Sequence, residues 1–251
     1  NLEDTPRLLG ELSLPAFDNK NVFMWECPDL LKLGDKDVFI WSPQGKDREK
    51  HQFQNNYHAT YAVGKLTDLT FTAEYIDELD QGFDFYAPQT FAGLDNQAYA
   101  VLFGWIGLPD LTYPTDKFKW HSTLTLPREL RLEGSKIYQH PIDKIYKNLT
   151  TLSALHLNEK ADIANLDRAY LKFEANNQAF DLNFFQNEKG QSLLLSYENG
   201  LVCLDRSQSE QTELMEKFDT KRFCEVENLQ TVEIFFDRSI IEIFFNQGEK
   251  A

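Results

Sequence analysis

Ala98-Tyr99-Ala100-Val101-Leu102-Phe103-Gly104-Trp105 reads as a β-strand, because aromatic and apolar residues fill it while Asp, Asn, Gly and Pro cluster around it. Four more runs of similar texture precede it, at residues 21–25, 37–42, 57–64 and 70–75, each ended by turn-forming residues. Short strands at such close intervals define an all-β pattern. Evenly spaced strand groups fit the blades of a propeller, and they fit a sandwich equally well over so short a stretch. Periodicity alone leaves that choice open.

Working outward, the texture changes after residue 149. Arg168-Ala169-Tyr170-Leu171-Lys172-Phe173-Glu174 alternates apolar and polar side chains, as does 179–184, which predicts strands with one buried and one wet face. Runs at 192–197, 232–236 and 240–245 continue the pattern, so a second β domain, a sandwich, is expected. Pro141 and a polar, lysine-bearing stretch interrupt the strand signals across 140–148, placing the two domains at 1–145 and 146–251. Residues 150–158 fit a strand or a short helix.

The 251 residues suffice for one or two domains with a substantial core. A formal net charge of -15 argues against nucleic acid or an anionic membrane as partner, since phosphate neutralisation needs clustered Lys and Arg. No apolar run approaches the about 20 residues needed to span a bilayer. Cys27, Cys203 and Cys224 form no Cys-x-x-Cys pair, and the five histidines lack metal-ligand spacing. These features point to a reduced compartment and to no metal or cofactor. Asn148-Leu149-Thr150 matches a glycosylation acceptor, a triplet that arises often by chance. The chain opens Asn1-Leu2-Glu3 without a methionine, so a native start upstream is expected.

Trp25-Glu26-Cys27-Pro28-Asp29 holds the chemistry of greatest interest. A carboxylate packed beside an indole, with a proline fixing the backbone beyond it, is suited to stay protonated and act as a proton donor. A surface turn after the strand at 21–25 is the plainer reading of the same residues. Three more blocks follow: Asp80-Gln81-Gly82-Phe83-Asp84-Phe85-Tyr86-Ala87-Pro88-Gln89, Phe103-Gly104-Trp105-Ile106-Gly107-Leu108 and Leu126-Pro127-Arg128-Glu129-Leu130. These blocks in this order, with Phe236-Asp237-Arg238-Ser239 and Glu242-Ile243-Phe244, resemble glycoside hydrolase family 32, which includes invertases, fructanases and sucrose-6-phosphate hydrolases.

The resemblance implies a five-bladed β-propeller, of which this chain holds the later blades, followed by a β-sandwich. It makes Glu26 the general acid/base and the small-molecule partner a sugar. Asp84 and Tyr86, two apart on a strand, would share a face and could clamp sugar hydroxyls. Asp80 would face the leaving-group side, and Trp105 would stack on a sugar ring. Cys27 is expected on the opposite side of the backbone from Glu26, as a packing contact near substrate. Arg128 and Glu129 read as a surface ion pair.

Retaining hydrolysis needs a second carboxylate. The family's Asn-Asp-Pro and Arg-Asp-Pro motifs do not occur in this sequence, and Asp29, Asp80 and Asp84 stand in other contexts. The sequence therefore reads as a fragment whose missing N-terminal propeller segment carries the nucleophile. The block Gly104–Asp110 running into Tyr113-Pro114-Thr115-Asp116 most resembles the sucrose-6-phosphate hydrolases, implying sucrose 6-phosphate or sucrose as substrate and a cytoplasmic setting. A fructanase acting on inulin or levan is the nearest alternative. A sandwich that binds carbohydrate without cleaving it would need exposed aromatics, for example among Tyr170, Phe173 and Tyr197.

Overall fold

The computed structural model describes residues 5, 7–93, 98–150, 154, 166–209 and 219–251. Most of 150–158, and the Asn1-Leu2-Glu3 start, lie outside the described residues. Strands β1 (Met24–Leu33), β2 (Lys36–Gln44), β3 (Thr60–Thr67) and β4 (Thr70–Glu78) form an antiparallel meander in chain order. A second sheet holds β5 (Phe85–Thr90), β6 (Ala100–Ile106), β8 (Arg128–Glu133) and β9 (Lys136–Pro141) in that order, with the short β7 (Thr123–Leu124) also paired to β6. Both sheets are all-antiparallel, as two successive propeller blades would be. The described residues do not close a ring.

Strand β2 shows why the sheets stack. Residues 37 to 43 are all buried, and Val38 to Trp41 at their centre are apolar on both faces of the strand. Val38 and Ile40 join Tyr61, Val63, Phe85, Leu102, Leu130 and Ile137 in a core shared by the two sheets. Phe39 and Trp41 point the other way, toward Leu14, Phe17, Phe53 and Phe71. Each such side chain removed from water contributes roughly 1.5–3 kcal/mol.

After Pro141 a single helical turn, α1 (Asp143–Tyr146), leads toward the second half. There β10 (Arg168–Glu174), β15 (Thr231–Asp237) and β16 (Ile240–Phe245) form one sheet. Strands β11 (Phe180–Phe184), β12 (Leu193–Glu198), β13 (Leu201–Asp205) and β14 (Lys221–Glu225) form the other. The two sheets enclose Leu195, Tyr197, Val202, Val232, Ile234 and Phe236. Tyr197 is buried, Phe173 meets Phe180 edge-on at 5.3 Å, and the Tyr170 hydroxyl donates to Glu233 at 2.6 Å. These three aromatics are spent on packing, not laid out as a carbohydrate-binding face.

Polar contacts join the second half to the first. Arg128 is buried and donates to Asp80 at 2.8 Å, to Gln139 at 3.0 Å and to Glu242 at 2.7 and 3.0 Å. Its guanidinium also lies 4.9 Å from the Phe85 ring and 5.1 Å from that of Phe244. Burial opposes its charge, but Glu242 and Asp80 outweigh that and hold its pKa above the ordinary arginine value. The surface pairing expected for Arg128 with Glu129 is not what forms; Glu129 pairs with Arg131 instead. Gln54 adds a two-way bond to the Phe223 backbone, donating at 2.7 Å and accepting at 2.9 Å.

Candidate active site

Glu26 sits within β1, not after it. The strand runs on through Cys27 and Pro28 as a bulge: Glu26 pairs with Ser42 and Asp29 with Ile40, leaving two residues opposite one. Proline is tolerated there because the bulge and the sheet edge need no amide donor from it. Cys27 takes φ 49, in the left-handed region. Strand β5 repeats the device. Tyr86 pairs with Trp105 and Gln89 with Phe103, with Ala87 at φ 45 followed by Pro88. Glu26-Cys27-Pro28 and Tyr86-Ala87-Pro88 thus occupy equivalent places in their two sheets.

The bulged strands lie side by side. Gln89 donates to the Cys27 carbonyl at 3.2 Å, while the Thr90 amide and hydroxyl donate to Asp29 at 2.7 and 2.8 Å. This brings the two residues that precede the bulges together: the Tyr86 hydroxyl donates to Oε2 of Glu26. Gln44 lies on β2 two residues beyond Ser42, the cross-strand neighbour of Glu26, and so shares its face. Its amide donates to the same Oε2 and, at 2.5 Å, to the Tyr86 oxygen. Among the described residues these hydrogen bonds all run to Oε2 and none to Oε1.

Trp25 is not the apolar neighbour expected for Glu26. Strand alternation turns its ring to the opposite face, 5.6 Å from Phe39 and 5.4 Å from Trp41, with its N–H donating to Asn19 at 2.8 Å. The aromatic wall near Glu26 comes instead from Tyr86, Tyr57 and Trp105, in a cluster with Leu108, Leu111 and Tyr113. Ring centroids lie 5.3 Å apart for Tyr57 and Tyr86, and 6.3 Å for Tyr86 and Trp105. Burial first, and then the bond to Glu26, raise the Tyr86 pKa, so its phenol keeps its proton. Tyr57 donates to Asp110, and that bond, with burial, pushes its pKa up to about 12.

The other predicted residues divide. Trp105 is half-buried at the end of β6, with Gly107 so close that a Cβ there would lie 2.7 Å from its indole nitrogen. Asp84 accepts the Tyr113 hydroxyl at 2.9 Å; burial lifts its pKa, against the pull of Tyr113, Arg206 and Arg222. Asp84 and Tyr86 therefore border one aromatic cluster through different partners. Cys27 is half-buried in the bulge next to Glu26, and burial and the Glu26 charge both raise its thiol pKa. Asp80 is taken up by Arg128 and by the Gly82 amide at 2.8 Å, and the fold does not bring it to the Glu26 cluster.

Sequence reading missed Gln44, Tyr57, Asp110 and Tyr113. Asp110 and Tyr113 stand in the Gly104–Asp116 block and carried a signal; Gln44 carried only the Pro-Gln-Gly turn that ends β2. That turn requires glycine, because Gly45 has φ 88 and a Cβ there would meet the Asn21 carbonyl at 2.4 Å.

The Glu26 carboxyl is thus held by two donors, one of which, Tyr86, packs in the aromatic cluster with the half-buried Trp105. Residues 11–141 match the glycosyl hydrolases family 32 N-terminal domain and residues 130–251 the family 32 C-terminal domain. The chain belongs to glycosyl hydrolase family 32. It is 34% identical over 240 residues to the sucrose-6-phosphate hydrolase of Streptococcus mutans, covering 93% of this chain and 49% of that protein. With the Bacillus subtilis sucrose-6-phosphate hydrolase it shares 34% identity over 262 residues, covering 98% and 52%. Among solved structures, sucrose-6-phosphate hydrolase from Lactobacillus gasseri superposes with a TM-score of 0.80 at 30% identity, covering 92% of this chain and 49% of that one. A Bombyx mori GH32 beta-fructofuranosidase gives 0.69 at 29% identity, covering 91% and 48%. The chain spans about half the length of the curated relatives it matches.

Proposed function

We propose that the whole protein is a retaining β-fructofuranosidase acting on sucrose 6-phosphate or sucrose, with Glu26 as its general acid/base. The observation that carries this is the Glu26–Tyr86–Gln44 cluster beside Trp105, in a family 32 chain. Glu26 protonates the leaving oxygen as the fructosyl bond breaks, then takes a proton from the water that releases the fructosyl unit. Trp105 stacks on a sugar ring, and Asp84, through Tyr113, shapes the wall behind it.

The nucleophile is a carboxylate about 5 Å from Glu26 in a retaining site. Asp29, Asp80 and Asp84 are each engaged elsewhere, by Thr90, Arg128 and Tyr113. We assign it to none of the three, and the later blades of a five-bladed propeller to residues 1–145. The substrate reading agrees with the relatives' names and is tested by kcat/KM of the full-length protein on sucrose 6-phosphate, sucrose and inulin. Preference for the phosphorylated or free disaccharide is expected; preference for inulin would overturn it.

A further inference from the structure

Gln44 has no role in the reading above beyond touching Glu26, yet its contacts decide where a proton can sit. Its amide nitrogen faces Oε2 of Glu26 and donates to it. The same nitrogen donates to the Tyr86 oxygen. With its oxygen thus occupied as an acceptor, the Tyr86 hydroxyl is turned to donate, and its donation goes to Oε2 of Glu26. Oε2 is left facing two donors. A proton placed on Oε2 would face the Gln44 N–H and the Tyr86 O–H, and could stay there only if those donations were given up.

We propose that Gln44 is a positioning residue that orients the Tyr86 hydroxyl and reserves Oε2 of Glu26 as an acceptor, so that the catalytic proton is carried and delivered on Oε1. This rests on Glu26 being the acid/base. The fold supports the assignment independently of chemistry. Gln44 closes β2 just before the constrained Gly45, and its carbonyl accepts the Phe23 amide at 3.0 Å, so the backbone on either side of it is pinned. The amide reaches Glu26 from the neighbouring strand of the same sheet, whereas Tyr86 reaches it from the other sheet. Gln44 therefore also joins the two bulges into one unit.

The test uses the full-length enzyme with Gln44→Leu, which keeps most of the volume and removes both donors, beside Glu26→Gln as control. On sucrose or sucrose 6-phosphate, kcat is expected to fall roughly 10- to 100-fold with KM little changed, the scale of loss that misplacing a catalytic group produces. On β-fructofuranosyl fluoride, whose leaving group needs no proton, the loss in the glycosylation step should be much smaller. If Gln44→Leu does not fold, Gln44→Asn, which withdraws the amide by one methylene, is expected to give the same split between substrates. Normal kcat in a folded Gln44 variant, or equal loss on both substrates, with Glu26→Gln inactive on sucrose, would overturn the role of Gln44 alone. Full activity of Glu26→Gln would overturn the reading on which it rests.

Discussion

Tyr86 owes its usefulness to where it sits: buried in the aromatic cluster, its hydroxyl donates to Glu26, and burial together with that bond moves its pKa further above the ordinary tyrosine value. Trp105 is the complementary case, a half-buried ring that the proposed function stacks on a sugar. Trp105→Ala should cost roughly 1–3 kcal/mol in kcat/KM, a stacking-sized loss, with little change in melting temperature. Normal kinetics with a large loss of stability would make it a core residue instead. Away from the site, Glu78 at the end of β4 is buried, and desolvation pushes its pKa up from 4.5 to about 8. The folded chain therefore binds its proton more tightly than the unfolded chain, so its contribution is full below about pH 4.5 and is lost as pH rises through about 8. Glu78→Gln should flatten the fall in unfolding free energy between pH 5 and pH 8, read by denaturant titration; an unchanged slope would contradict the assignment. None of this burial was visible in the sequence, where Glu78 reads as one acid among many.

At the scale of elements, the paired bulges do the assembling. A left-handed Cys27 or Ala87 costs about 1–2 kcal/mol that glycine would not incur, and branching at Cβ makes the conformation worse. Cys27→Val should therefore lower stability by about 1–2 kcal/mol and reduce activity together, because it disturbs the residue next to Glu26; unchanged thermal melting would show the bulge to be unimportant. Strand β6 braces the second bulge from behind. A Cβ at Gly104 would meet the Phe85 ring at 2.2 Å, so Gly104→Ala should destabilise by about 1–3 kcal/mol through overpacking. Strands with open alternation or dense apolar content, such as β2, β10 and β16, were legible from residues alone. β5 and β9 were not, because Pro88 and Pro141 disguise them, nor were β13 and β14, where a cysteine and charged residues break the pattern. Trp25 illustrates the same limit: its identity was informative, but a neighbour in sequence along a strand points to the opposite face, and only the fold shows that tyrosines and not this indole flank Glu26.

For the whole molecule, Arg128 ties the second sheet to the sandwich through Glu242, holds Asp80 ahead of β5, and braces Phe85, the residue before Tyr86. Glu242→Ala would leave that guanidinium buried with one partner fewer, a change that typically costs 3–5 kcal/mol. A melting temperature lowered by only a degree or two would refute the tie. The motif Leu126-Pro127-Arg128 was visible in the sequence, but its depth was not, since an Arg-Glu doublet at a strand start looks like surface until a distant Glu242 is folded onto it. Every role proposed for the site depends on Glu26 supplying the proton. The glycosylation rate of the full-length enzyme carrying Glu26→Gln, on sucrose and on β-fructofuranosyl fluoride, measures that directly. A loss of about a hundredfold or more on sucrose and a far smaller one on the fluoride is expected, since acid–base assistance contributes about 10²–10⁴-fold only where the leaving group needs it. Equal losses on the two substrates, or none on sucrose, would contradict it.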